Sequence, residues 1–371
     1  MTVLRSVVLA GGGSGGHIEP ALALAECLRR HDDDVRVTCL GTPKGLEAVI
    51  VPARGWDLEL IPAYPLPRRP GADLVRTPGR IARSVTAAAA VLDRVDAQVL
   101  VGFGGYVALP GYLAARRRRV PMVVHEVNNP AGIANKVGSR LTRYVGLGAE
   151  HVALRHGRVV GVPLRRSIAT LDRDAVRAKA RVHFGLDPDR PTLFVSGGSQ
   201  GARSLNLAVA AAAGALGAAG IQVLHVIGAR NTLDVLPTDT GAPYVTLPFL
   251  DRMDLGYAAA DLMLCRGGAM TCAEVAAVGL PAVYVPLPWG NGEQRRNALP
   301  VVRAGGGVLC DDGDLSAAWL EGNAIPLLTD PERLRTMSRA AASHGRRDGD
   351  EALLALVHEA VRSADRAEEP A

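Results

Sequence analysis

The chain has 371 residues, 48% of them hydrophobic, more apolar material than one ordinary core holds and enough for two domains of about 150 to 200 residues each. Its 42 basic residues nearly balance 37 acidic ones, so the net charge of +5 does not by itself indicate a nucleic-acid binder; Lys44, Lys136 and Lys179 are the only lysines, an arginine bias that reads as GC-rich coding. Five cysteines, Cys27, Cys39, Cys265, Cys272 and Cys310, form no C-x-x-C pair and fit neither a disulfide framework nor a zinc site, so the expectation is a reduced compartment and no metal.

Residues 6–10 form a short apolar run that reads as a buried parallel strand and is too brief for the core of a signal peptide. Gly11, Gly13 and Gly16 follow at G-x-G-x-x-G spacing. A glycine turn running into a helix presents unpaired amides and the positive end of the helix dipole, a cradle for phosphate that side chains would obstruct. A dinucleotide fold with this motif needs an acidic residue at the end of the second strand to hold a ribose. The second strand, residues 35–40, instead runs through Thr38, Cys39 and Leu40 into Gly41 and Thr42, so the dinucleotide reading loses its key residue.

Between Leu66 and Arg83 apolar and basic residues alternate: Arg68, Arg69, Leu74, Val75, Arg76, Arg80, Ile81 and Arg83. Such a stretch suits an anionic membrane interface, and the run Arg116, Arg117, Arg118, Arg119 adds charge in the same half. Neither carries the aromatic platform of a nucleic-acid site, and the longest apolar run, residues 207–221, is too short and too rich in Ala and Gly to span a bilayer. Strands are predicted at 99–102 and 122–125, then a polar, arginine-rich stretch from Pro163 to Arg190 marks a domain boundary.

The strand and helix grammar restarts at 192–196 and continues at 222–227, 262–265 and 282–285. The halves open alike, SVVLAGGGSGGH against TLFVSGGSQGAR, which predicts two doubly wound α/β domains whose ligands bind beyond the carboxyl ends of the strands, facing a cleft. Acidic residues at 32–34 and Asp311, Asp312 and Asp314 sit at helix-to-strand joins, where acidic loops are ordinary. Past Pro331 the chain reads as helical with a frayed polar tail.

GGGSGGHIEPALALA, VGFGGYVALPGYLAA, HEVNNPAGIANK, GVPLRR, VSGGSQGARSLN, LPFLDRMDLGYAAADLMLCRGGAMTCAEVAAVGLPAVYVP and GNGEQRRNA, in this order, resemble the MurG family of peptidoglycan N-acetylglucosaminyltransferases over nearly the whole chain. The resemblance implies a GT-B fold: residues 1–163 an acceptor and membrane-associating domain, 164–345 a domain for the UDP-GlcNAc donor, and 346–371 a helix returning toward the first domain plus a tail. It implies an inverting, β-1,4-forming transfer of GlcNAc to lipid I, with lipid II and UDP as products, no cofactor, a peripheral place at the cytoplasmic face of the cell membrane, and other cell-wall synthesis proteins as partners.

The resemblance also assigns residues. Ser14, Gly15, Gly16, Asn128, Arg165, Ser199, Leu250, Ala269, Met270, Thr271, Glu274 and Gln294 would contact the donor, with Leu250 reading uracil through its backbone, Glu274 holding ribose hydroxyls and Gln294 contacting the sugar. His17, with an imidazole largely neutral at working pH, is the expected base or acceptor-positioning group, with Tyr106 and Glu126 in reserve. Val127, Asn129 and Glu293 depart from the usual family residues. Retention of His17, Glu274 and Gln294 argues against a non-catalytic nucleotide-sugar binder.

Overall fold

The computed structural model describes residues 3–64, 72–235 and 241–368, with backbone alone at 72–76 and 367–368. Two compact units emerge: residues 1–166 with 347–371, and residues 167–346.

The first unit is built on a parallel sheet of β1 (Ser6–Gly11), β2 (Arg36–Gly41), β3 (Asp57–Leu60), β4 (Val99–Gly104), β5 (Met122–Glu126), β6 (Val145–Leu147) and β7 (Gly157–Val159), in the spatial order β3-β2-β1-β4-β5-β6-β7. Successive residues of a strand face opposite sides, so an uninterrupted apolar strand demands cover on both. Val7 and Leu9 pack with Ile18, Leu22 and Ala25 of the helix Gly15–His31, whereas Val8 and Ala10 pack with Ala88, Leu92 and Tyr112 from the helices Ala72–Arg94 and Ala108–Arg118. The last helix, Gly349–Glu368, joins the first of these layers through Leu353, Leu354, Leu356, Val357, Ala360 and Val361.

The second unit has six parallel strands, β8 (Thr192–Ser196), β9 (Gln222–Val226), β10 (Tyr244–Leu247), β11 (Leu262–Cys265), β12 (Ala282–Tyr284) and β13 (Gly307–Leu309), ordered β10-β9-β8-β11-β12-β13. Leu193, Val195, Leu262, Leu264 and Val283 bury one face with Leu205, Val209 and Leu327, and on the other Phe194 meets Tyr257 edge-on at 6.1 Å.

Most of the arginine-rich stretch from Pro163 to Arg190 packs onto the second unit. The helix Arg173–His183 carries Arg177 and Arg181, each 2.7 Å from a different oxygen of Asp261, and Asp261 also accepts the amide of Thr192 at 2.8 Å, which ties the amino ends of β8 and β11 together. Arg173 donates to the carbonyls of Tyr257 (3.0 Å), Gly279 (2.8 Å) and Ala260 (2.5 Å), and burial pushes its pKa down to about 10. The chain leaves the first unit after Arg166 and re-enters it at Arg347.

Among the described residues no helix is long and apolar enough to cross a membrane. Leu66, Arg68 and Arg69 lie outside the described residues, as do the side chains of Leu74, Val75 and Arg76. Of the rest of that stretch, Arg83 is exposed, Ile81 is half-buried, and the half-buried Arg80 places its guanidinium 5.2 Å from the ring centre of Tyr64. In the four-arginine run Arg118 pairs with Asp93 at 2.5 Å.

Candidate active site

Strand order reverses at the β1/β4 pair in the first sheet and at the β8/β11 pair in the second, and in open parallel sheets ligands bind at the carboxyl end of such a switch point. Both glycine loops found in the sequence fall there.

In the first unit, β1 runs through Gly12 and the left-handed Gly13 (φ 86°) into the helix Gly15–His31. The turn is held by a residue the sequence reading missed. Glu47, fully buried, accepts the Gly13 amide at 2.8 Å on one oxygen and the amide and hydroxyl of Thr42, both at 2.9 Å, on the other. The anion slot at Gly13 is thus filled by the protein's own carboxylate. Ser14 does not cap the helix with its side chain, so the amides of Gly15 and Gly16 remain N-terminal to its first turn of bonds, and a Cβ built at Gly15 would meet nothing within 4 Å. The uncapped amides of this helix start are thus those of Gly15 and Gly16.

His17 Nδ1 lies 3.2 Å from the Gly12 carbonyl and 3.1 Å from Ser14 Oγ. A carbonyl only accepts, so the Gly12 contact is a hydrogen bond in the tautomer that carries its proton on Nδ1, and in that tautomer Nε2 is the basic nitrogen. The loop after β4 closes around the ring: a Cβ at Gly104 would come 3.0 Å from His17 Nε2, and one at Gly105 would collide with the Gly12 carbonyl at 2.1 Å. Tyr106, exposed, lies over Gly13.

Glu126 has a different place. Its carboxylate accepts the amides of Val127 (3.0 Å), Asn128 (2.9 Å) and Gly132 (2.8 Å) and the side chain of Asn135 (3.1 Å), so it shapes the loop after β5. Asn128 lies on that loop with its side-chain nitrogen 3.4 Å from the same carboxylate. Asn135 also accepts from Tyr112 at 2.7 Å. Neighbouring His125 donates from Nε2 to Gly161 O at 2.9 Å, and burial lowers its pKa to about 4, which keeps it neutral. Arg165 stands 3.5 Å from Glu19, whose two oxygens take Arg54 at 3.0 and 3.1 Å.

In the second unit, β8 leads through the left-handed Gly198 to the exposed Ser199, and Gly201 packs so tightly on Ile227 that a Cβ would sit 2.1 Å from its carbonyl. Asn206 ties this loop to β9, donating to Ile227 O at 2.9 Å and accepting from His225 Nε2 at 3.1 Å; His225, its pKa lowered to about 4 by burial, meets the Tyr244 hydroxyl with Nδ1 at 2.8 Å. After β11 comes Arg266, then Gly267 and Gly268, then the helix Ala269–Ala277. Gly268 offers no side-chain cap, and the first intrahelical bond is Cys272 N to Gly268 O at 2.9 Å, so the Ala269, Met270 and Thr271 amides stay uncapped.

Glu274 sits one turn into that helix, buried, with the Tyr257 hydroxyl donating to it at 2.6 Å. Gln294 Oε1 accepts the Leu287 amide at 3.0 Å, which orients its side-chain amide. Leu250 lies beyond the β10 ladder, and its side chain fills the space over Gly256. Sequence reasoning also missed the buried Arg266, which donates to Val285 O (3.0 Å), Ser204 Oγ (2.9 Å) and Asp312 (2.5 Å). Burial opposes ionisation of Asp312, but the Ser204 hydroxyl and Arg266 outweigh it and hold that carboxyl below the usual range. The acidic loop after β13 thus closes an internal ion pair.

Residues 7–146 match the glycosyltransferase family 28 N-terminal domain and residues 192–353 the glycosyltransferase family 28 C-terminal domain. With two parallel-sheet, Rossmann-like units, the chain is a glycosyltransferase of the GT-B class. It is 58% identical over 361 residues to the UDP-N-acetylglucosamine–N-acetylmuramyl-(pentapeptide) pyrophosphoryl-undecaprenol N-acetylglucosamine transferase of Streptomyces avermitilis, covering 97% of this chain and 99% of that one. The Acidothermus cellulolyticus protein of the same name is 59% identical, covering 96% and 98%. The crystal structure of Acinetobacter baumannii MurG superposes with a TM-score of 0.76 at 27% identity, covering 96% and 99%. The chain belongs to the MurG family.

Proposed function

We propose that the chain transfers GlcNAc from UDP-GlcNAc to lipid I with inversion at the anomeric carbon, forming the β-1,4 bond of lipid II and releasing UDP. The observation that carries the reading is the second unit's uncapped helix start at Gly268, with Glu274 one turn inside it, in a chain of this family. An uncapped helix N-terminus is a ready site for a diphosphate, and the Ala269, Met270 and Thr271 amides would face it with Ser199 from the loop after β8. Tyr257 fixes one oxygen of Glu274, and a carboxylate has about four acceptor positions, so ribose hydroxyls can bind beside it. Leu250 would read uracil through its backbone, Gln294 would donate to the sugar, and Asn128 and Arg165 are the further donor contacts of this reading.

His17 is the proposed base. Gly12 orients the ring, and Nε2 takes the proton of the attacking hydroxyl as that oxygen bonds to the anomeric carbon and the diphosphate leaves from the opposite face. Tyr106 is an acceptor-positioning group. Glu126 drops out as a reserve base, because its carboxylate already accepts three amides. Charge developing on the leaving diphosphate is balanced by the uncapped amides and the helix dipole. Incubation of purified protein with labelled UDP-GlcNAc and lipid I tests the whole reading: labelled lipid II is expected, and donor turnover that ignores lipid I but follows another acceptor would overturn it.

Glu274→Ala should weaken UDP-GlcNAc binding by about 1 to 3 kcal/mol, the range for lost hydrogen bonds to a charged acceptor. Calorimetry on the folded variant decides; an unchanged Kd removes Glu274 from the donor site. A peripheral place at an anionic membrane surface is proposed for the helix Ala72–Arg94. Each arginine near such a surface contributes about 1 kcal/mol, so Arg80→Gln with Arg83→Gln should reduce binding to anionic vesicles at low salt by roughly 30-fold. Equal binding of this chain to neutral vesicles would show that those arginines serve only as a solvated face.

A further inference from the structure

Cys27, His31 and Glu351 bring their ligating atoms within 4.8 Å of one another, at the far end of the helix that begins at the first unit's glycine loop. Cys27 and His31 lie four residues apart on one face of the helix Gly15–His31, while Glu351 arrives from the first turn of the helix Gly349–Glu368. Nothing in the cysteine spacing announces this group, because the third member comes from the far end of the chain.

We propose that Cys27, His31 and Glu351 bind a borderline-soft divalent cation, Zn²⁺ above all, which staples the last helix of the chain to the first. The donor set is one thiolate sulfur, one imidazole nitrogen and one carboxylate oxygen, the mixture Zn²⁺ takes in tetrahedral sites, with water as the fourth ligand. Tetrahedral bonds of about 2.0 to 2.3 Å place ligand atoms roughly 3.3 to 3.8 Å apart, so the side chains need only rotamer adjustments. His31 Nε2 and Glu351 Oε2 now face each other at 2.7 Å, and a cation entering between them would take both atoms as ligands while the neutral imidazole keeps its one proton on Nδ1.

The surroundings suit such a site. Arg30 donates to the other oxygen of Glu351 at 2.9 Å and to the buried Asp350 at 2.6 Å, the outer-sphere contact that aims a ligating carboxylate. Cys27 is buried, and burial, followed by the charges of Asp350 and Glu351, pushes its thiol pKa well up. Binding therefore releases the thiol proton to solvent as the sulfur–metal bond forms, and the divalent charge offsets the two carboxylates that disfavour the thiolate.

The test uses untagged, metal-stripped full-length protein titrated with Zn²⁺ alone, and with Co²⁺ as a chromophore. One equivalent should bind with release of about one proton, Co²⁺ should give a thiolate charge-transfer band, and Zn²⁺ at 100 times its Kd should raise Tm by about 5 to 10 °C. Cys27→Ser should abolish the band. Because Cys27 is a core position, Glu351→Gln and His31→Gln provide surface variants that spare the core, and each should weaken Zn²⁺ binding at least about tenfold. No thiolate band, or Zn²⁺ affinity unchanged in both surface variants, would show that the cluster is held by ion pairs alone.

Discussion

Replacing His17 by alanine lowers turnover by about 10²-fold or more and leaves UDP-GlcNAc affinity within about twofold of its starting value, because a general base acts in the transition state. The geometry makes the expectation specific. Nδ1 is oriented by the Gly12 carbonyl and Ser14, and the backbone at Gly104 approaches the Nε2 side, so a substitute side chain would not reproduce the position of the basic nitrogen. Added imidazole should restore part of the lost rate. Ser14→Ala, which removes one contact to the ring and keeps the Gly12 carbonyl, should lower turnover far less. A His17→Ala enzyme with near-normal turnover would transfer the role elsewhere, with Tyr106 the next group to test.

The second large effect is on stability. Asp261→Ala should destabilise the second unit by about 3 to 5 kcal/mol, since removing one partner of a buried pair leaves the other charge uncompensated. Arg181 is only 5% exposed at its side chain and would lose its carboxylate, while the Thr192 amide loses its acceptor and the amino ends of β8 and β11 lose their common tie. Against a total of about 5 to 15 kcal/mol, such a loss would show as a much lower urea midpoint. Asp261→Asn, which keeps an acceptor for Thr192, should lose less. A change below about 1 kcal/mol in the alanine variant would mean that water and the carbonyls of Ala259 and Pro188 already satisfy Arg181.

The central strands were legible because a parallel strand covered on both faces must be apolar throughout: residues 192–196 and 262–265 coincide with β8 and β11. The edge strands were not. Asp57–Leu60 and Gly157–Val159 are short and only partly buried, so their sequences carry no apolar run. The same division holds at the site. Glycines mark the loops because backbone geometry there excludes side chains, and that constraint is local. Glu47 meets Gly13 across 34 positions, and Arg266 meets Asp312 across 46, so neither partnership leaves a pattern in its own neighbourhood. His17 was legible as a residue type, whereas its protonated nitrogen emerged only from the nearby Gly12 carbonyl.

The return of the chain to its first unit sets an order for its birth on the ribosome. Leu353, Leu354, Leu356, Val357 and Val361 are buried in that unit's core. At about 1.5 to 3 kcal/mol for each large apolar side chain removed from water, they contribute an amount comparable with the entire stability of a domain. Synthesis runs from the amino end at roughly 5 to 20 residues per second, so residues 167–346 are complete before this helix exists. The half that is translated first keeps an apolar face uncovered until the helix Gly349–Glu368 is made, and a chain cut short at residue 346 would hold all of the second unit and leave the first one open.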